Sequence, residues 1–193
     1  MDEPTSAQRI LREALALFSA RGYDAASVRE ICEAAGIAKP TLYHFFGSKE
    51  GLYQALVDGA LARFRSSLAE NLETPGPLAE RLKRMARSYL AYAREEPELM
   101  RFVLRLIHNP PVTAPVTDFP KFYEETVGLV ARAVDDAVTR GEVLPGPSDV
   151  RMLVLMGSLA EAFCGYLLAG RPELTPELAD ALVDTVLQGW IRA

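Results

Sequence analysis

Residues 27–52, SVREICEAAGIAKPTLYHFFGSKEGL, constrain this chain more than any other stretch. Ser27 and Glu30 stand three apart ahead of an apolar run, the spacing of a capping box. A short helix follows to about Ala35, with Val28, Ile31 and Ala35 on its apolar face. Gly36 makes the turn, since glycine adopts left-handed backbone angles without steric cost. Ile37 plugs the turn, and a second short helix runs from Lys39 to about Phe45. Pro40 is tolerated there because first-turn amides have no partner inside a helix. Ser48 then caps a third helix, with Gly51 standing where an acid would complete another box. Ile31, Ala35, Ile37 and Leu42 lock the first two helices across the turn. Lys39, Thr41, Tyr43 and His44 are left on the outer face of the second, where they can reach bases and phosphates. This is the layout of a helix-turn-helix, whose second helix enters the major groove of DNA.

Charge argues for a directed contact rather than a basic surface. The 193-residue chain has a formal net charge of -5. Residues 1–50 carry six Lys/Arg against seven Asp/Glu. Residues 36–49, by contrast, hold Lys39, His44 and Lys49 and no acid. Phosphate contacts must therefore come from a small patch while the acids face elsewhere.

The rest of the chain has helical period throughout, and nothing alternates like a strand. Thr5 and Gln8 can box the start of a first helix, with Ile10, Ala14, Leu17 and Phe18 inward and Gly22 at its end. From Ser48 a long helix places Leu52, Leu56, Ala60, Phe64, Leu68 and Leu72 four apart, until Pro75-Gly76-Pro77 stops it. A fifth helix carries Leu78, Leu82, Met85 and Tyr89; a sixth covers about 98–107. Residues 108–120 hold four prolines and read as a loop. Further helices are expected over about 119–140, 148–169 and 175–192, about nine in all. The fold class is all-α: a three-helix reading domain over 1–47, then a helical domain over 48–193.

Other classes find little support. Leu153 to Gly170 is apolar and just long enough to span a bilayer. Glu161 at its centre would cost roughly 3 kcal/mol there, so a helix buried on most sides within protein is expected, with no membrane contact. The opening MDEPTSAQ is not a signal peptide. Cys32 and Cys164 lie far apart and read as two buried structural thiols in a reducing cytoplasm. A helical-bundle metalloenzyme needs Glu three residues before His, and neither histidine has it. No phosphate loop or nucleophile motif is present. No metal, cofactor or enzymatic activity is expected.

The string of residues over 8–53 resembles the N-terminal domain of the TetR family of transcriptional regulators. The matching positions are Ile10, Ala14, Phe18, Gly22, Tyr23, Ser27, Val28, Ile31, Ala35, Gly36, Ile37, Thr41, Leu42, Tyr43, Phe46, Lys49 and Leu52. The chain departs from the pattern at Ala38, where members often carry a capping Ser, and at Pro40, where Gly or Ala is common. The resemblance implies that Ser27, Val28 and Arg29 meet the DNA backbone, with Arg29 reaching toward a base. It implies that Lys39, Pro40 and Thr41 face base edges, that Tyr43 and His44 contact phosphates, and that Lys49 pairs with a phosphate at a helix N-terminus.

For the remainder, the resemblance implies an apolar ligand cavity. The large adaptable residues Met85, Tyr89, Met100, Phe102, Phe122, Tyr123, Phe163 and Tyr166 are its candidate walls, with His108 as a polar group. It also implies a homodimer through helices eight and nine. Leu153, Gly157, Ala160 and Cys164, with nearby Gly165, form one stripe; Leu178, Leu182, Val186 and Gly189 form the other. Each mid-helix glycine costs roughly 1 kcal/mol relative to alanine, which close approach of a second helix would offset. The expected protein is a repressor on a palindromic operator, released by a small apolar or amphipathic molecule. The alternatives are an activator of the same fold, or a helical small-molecule binder that does not bind DNA.

Overall fold

Thr5 and Ser27 behave as their spacing predicts. Thr5 accepts from the Gln8 amide while Gln8 Oε1 accepts from the Thr5 amide, opening α1 (Ser6–Arg21). Ser27 and Glu30 do the same for α2 (Val28–Ala35), which ends at Gly36 with φ 62°. In this computed structural model, residues 4–108, 113–115 and 118–190 are described, apart from the side chains of residues 107, 108 and 119. The further elements are α3 (Lys39–Phe46), α4 (Lys49–Glu73), α5 (Leu78–Glu95), α6 (Pro97–His108), α7 (Phe119–Thr139), α8 (Ser148–Ala169) and α9 (Pro176–Gln188). Among the described residues these nine helices are the only regular structure, so the chain is all-α. Most of the proline-rich stretch expected as a loop lies outside the described residues; α6 runs to His108 and α7 already includes Pro120.

Packing groups the chain into two compact units. The first comprises Met1–Ala62 with Glu98–Thr117. Ile10, Ala14, Ile31, Leu42, Leu52 and Val57 are fully buried in it. Around them Phe18, Tyr23 and Tyr53 form a tilted and edge-on aromatic cluster with centroids 4.8–5.6 Å apart. Phe102 of α6 joins it, 5.5 Å from Tyr53. Arg105 of α6 donates to the Ala20 carbonyl (3.2 Å), serving an end of α1 that would otherwise lack a donor.

The second unit comprises Arg63–Pro97 with Asp118–Ala193. Here α5 packs along α9 and α8, and α7 against α8. Leu82, Ala86, Leu90, Val134, Leu155, Leu159, Ala179 and Val183 are buried between them. Arg87 grips Asp180 through two hydrogen bonds, and Lys83 meets Asp184 at 2.7 Å, tying α5 to α9 along one side. Arg81 Nε donates to the Leu72 carbonyl (2.6 Å), closing the end of α4.

Two expectations change. α9 stops at Gln188 rather than near Arg192. Its last turn is drawn off by Trp190, whose buried ring lies 5.1 Å from the Arg151 guanidinium and whose carbonyl accepts from the Leu144 amide. Nor is α8 buried on most sides. It is the one helix among the described residues long and apolar enough to cross a membrane, yet only 28% of its apolar window is buried. One face, with Met152, Leu155, Leu159 and Phe163, fills the core; the opposite face is left open.

Candidate functional site: reading face, cavity and apolar stripe

The geometry of α3 follows from one buried residue. Leu42 is fully buried, and this fixes which side chains turn outward. Lys39, Pro40, Tyr43 and His44 are exposed and Thr41 is half-exposed. Phe45 is exposed as well, at 47%, next to Tyr43 at 46%. Phe45 stands four residues after Thr41, one helical turn along the same face. That spacing was readable in the sequence, although only the polar members of the face stood out there. Ala38 makes no side-chain cap, as its chemistry requires, and Pro40 occupies the first turn.

The flanks of α3 are held by hydrogen bonds and by one close approach. The Gly51 amide donates to Ser48 Oγ (3.0 Å), so Ser48 does cap α4. A Cβ at Gly51 would stand 2.1 Å from the Phe46 carbonyl oxygen, so only glycine lets α3 end against α4 in this way. Lys49 Nζ rests over the Tyr23 ring, 4.2 Å from its centroid. The Tyr23 hydroxyl donates to Glu50 Oε1 (3.1 Å). Burial and that carboxylate push the Tyr23 phenol up to about 12. Glu50 is held below the usual carboxylate range by its own backbone amide, Ser48 and Tyr23. On α2, Ser27 and Val28 are half-buried at the helix start, and the exposed Arg29 lies 3.8 Å from Glu33.

In the second unit a cavity of about 300 Å³ opens between the later part of α4 and α5. Of the residues singled out in sequence, Met85 and Tyr89 line it. Phe163 packs behind Tyr89 at 6.4 Å, and Phe122 packs against the lining residue Phe64 at 5.8 Å. Burial pushes the Tyr89 phenol up to about 12. Met100 and Phe102 belong to the first unit, Tyr123 points to solvent and Tyr166 is half-buried away from the lining. The side chain of His108 lies outside the described residues. The walls also include Arg63, Phe64, Leu68, Tyr92 and Met156, which sequence reasoning missed. Met85, Tyr89 and Tyr92 are spaced four and three apart, so one face of α5 held the signal.

The stripe on α8 is apolar and open. Val150, Leu153, Val154 and Leu168 are exposed, Leu153 at 63% and Leu168 at 87%. Gly157 is exposed with open space beside it; Ala160 and Cys164 are half-buried. On α9, Leu178, Leu182 and Val186 are half-buried, and Gly189 lies exposed just past the helix end. Gly165 has a reason within the chain: a Cβ there would stand 2.6 Å from the Arg171 carbonyl. The two thiols are free, Cys32 buried and Cys164 half-buried.

Known proteins agree with this architecture. A family model described as bacterial regulatory proteins, tetR family, matches residues 10–56. The HTH-type transcriptional regulator UidR of Escherichia coli (strain K12) is 33% identical over 141 residues, 71% of this chain and 68% of UidR. The HTH-type transcriptional repressor AcnR of Corynebacterium glutamicum is 41% identical over 71 residues, 36% of this chain and 38% of AcnR. Among solved structures, the transcriptional regulator FadR of Bacillus subtilis in complex with stearoyl-CoA is similar in fold. It has a TM-score of 0.75 at 14% identity and covers 94% of this chain and 97% of FadR.

Proposed function

This chain belongs to the TetR family of bacterial regulatory proteins, and on that premise we propose that it represses transcription from a palindromic operator as a homodimer, until a small apolar or amphipathic molecule releases it. Its relatives are transcriptional regulators rather than enzymes. The observation that carries the reading is the outer face of α3, where Lys39, Pro40, Tyr43 and His44 stand free while Leu42 anchors the helix. Such a face needs a partner rich in acceptors and phosphates, and DNA in the bacterial cytoplasm supplies both. Lys39, Pro40 and Thr41 face base edges. Tyr43 and His44 contact phosphates, with Lys49 and the start of α2 at Ser27, Val28 and Arg29. AcnR, a repressor by name, supports the sign of the regulation.

Control follows from the placement of α4. This helix carries Lys49 at its start and Arg63, Phe64 and Leu68 on the cavity wall. A ligand that binds more tightly to a state with α4 displaced shifts the population toward that state. Two reading heads must meet major grooves about 34–36 Å apart, so a modest displacement releases the operator. The open stripe of α8 and the flank of α9 give the dimer its contact. The test is a gel shift with the DNA upstream of the protein's own gene. An inverted repeat should be retarded specifically; no sequence-specific shift at any salt concentration would refute DNA reading. A promoter fusion separates repression from activation by its sign.

A further inference from the structure

We infer that the cavity between α4 and α5 takes an amphiphile with an anionic head, held at the mouth by the Arg63 guanidinium and the Tyr92 hydroxyl, and a linear apolar tail against Phe64, Met85 and Met156. This rests on the reading of that cavity as the effector site.

The charges at the lining decide the head. Two charged residues line the cavity, Arg63 and Glu95. Glu95 already has a cation beside it, Arg94 Nη2 at 3.6 Å. Arg63 has no acid partner among the described residues, so the charge left to answer is positive. Beside it the Tyr92 hydroxyl is buried with no partner in full hydrogen-bond geometry, although the Arg63 side chain lies within bonding reach of it. A buried hydroxyl left unpaired costs about 1–3 kcal/mol. Burial raises the Tyr92 phenol, while hydrogen bonding with Arg63 and then its charge pull it down, so the two groups lie side by side.

Both groups are donors to an anion. A carboxylate or phosphate oxygen accepts from the guanidinium and from the phenol together. A neutral alcohol can satisfy Tyr92 but leaves the Arg63 charge unanswered, and a cationic head is repelled by it. Ser88, another polar lining residue, accepts from Asn71 Nδ2 at 3.2 Å, and its own O–H remains a donor that can join the other two at the head. A volume of about 300 Å³ lies at the small end of ligand sites, which favours a tail of medium length. The anionic head has two chemical sources, a free fatty acid and an acyl thioester of coenzyme A.

Isothermal titration of the full chain with four ten-carbon probes tests this: decanoate, decanoyl-CoA, 1-decanol and decyltrimethylammonium, each below its micellar concentration. At least one anionic probe should bind about tenfold or more tighter than decanol, and the ammonium should bind weakest. Arg63 is exposed, so Arg63→Gln should keep the fold, checked by thermal melting. It should lower anionic affinity about 10- to 100-fold, the worth of hydrogen bonds to a charged group, and leave decanol unchanged. Tyr92→Phe should lower it by a smaller factor. Decanol binding as tightly as both anions, a preference for the ammonium, or an anionic advantage that survives Arg63→Gln overturns the head assignment and leaves the cavity reading standing. Binding of none of the four overturns both. The stronger of decanoate and decanoyl-CoA names the source.

Discussion

Tyr43 and Thr41 sit two residues apart on α3 and should fail in different ways when changed. Tyr43→Phe removes a phenol assigned to a phosphate, so specific and non-specific DNA should both bind more weakly. Thr41→Ala removes a group assigned to a base edge, so discrimination at one operator position should relax by about 1–3 kcal/mol. Binding titrations on operator and scrambled duplexes measure both; no change from either variant would mean that the reading face is misassigned. Lys49→Gln should lower the salt slope of binding by about 1 if Lys49 pairs with a phosphate. In the structure its ammonium lies over the Tyr23 ring, so the variant also loses a cation–π contact of roughly 0.5–1 kcal/mol. At this scale the capping residues were legible, because a cap is a relation between neighbours three apart. Arg63 and Tyr92 were not, because they stand on different helices and only packing makes them a pair.

Elements begin and end where local chemistry tells them to, with exceptions set by contact. The Ser27–Glu30 box opens α2. Glu30 is held below its ordinary value of 4.5 by hydrogen bonds from the Ser27 hydroxyl and amide, with Arg21 adding to this. A depressed folded-state value means that the contribution is present above pH 4.5 and is lost as pH falls through the folded value. The stability gap between the wild type and Glu30→Gln, present at neutral pH, should therefore close below about pH 4.5 in melts taken across the acid range. Ser27→Ala should cost about 1 kcal/mol at any pH where the box is intact. Gly51→Ala forces a methyl onto the Phe46 carbonyl. It should cost about 1–3 kcal/mol, the usual range for overpacking, and weaken operator binding, because the joint between α3 and α4 must shift. The period of α8 was plain in sequence, but which of its faces was covered was not. A helix apolar on most sides reads the same whether its neighbours come from one chain or from two.

At the scale of the whole molecule, the exposed apolar face of α8 calls for a partner. An apolar stripe that includes Leu153 and Leu168 is costly to leave in water, and a second copy would bury it. A Leu153→Glu, Leu168→Glu variant should sediment as a monomer at micromolar concentration while the wild type sediments as a dimer. The same variant should keep its helicity, since neither side chain is in the core, and should lose most operator affinity. A monomeric wild type would remove α8 and α9 as an interface.

The sequence by itself determined the helices, their caps, the glycine turn at Gly36, the orientation of α3 and the family. Each of these depends on residues within one or two turns of one another, where spacing and chemistry suffice. Tertiary structure alone decided that Phe102 joins Tyr53 while Met85 and Tyr89 face a cavity, that Gly165 makes room for the Arg171 carbonyl, and that one side of α8 is left open. Those outcomes depend on which apolar surfaces meet. The hydrophobic effect that joins them has no direction, so it leaves no local mark in the order of residues.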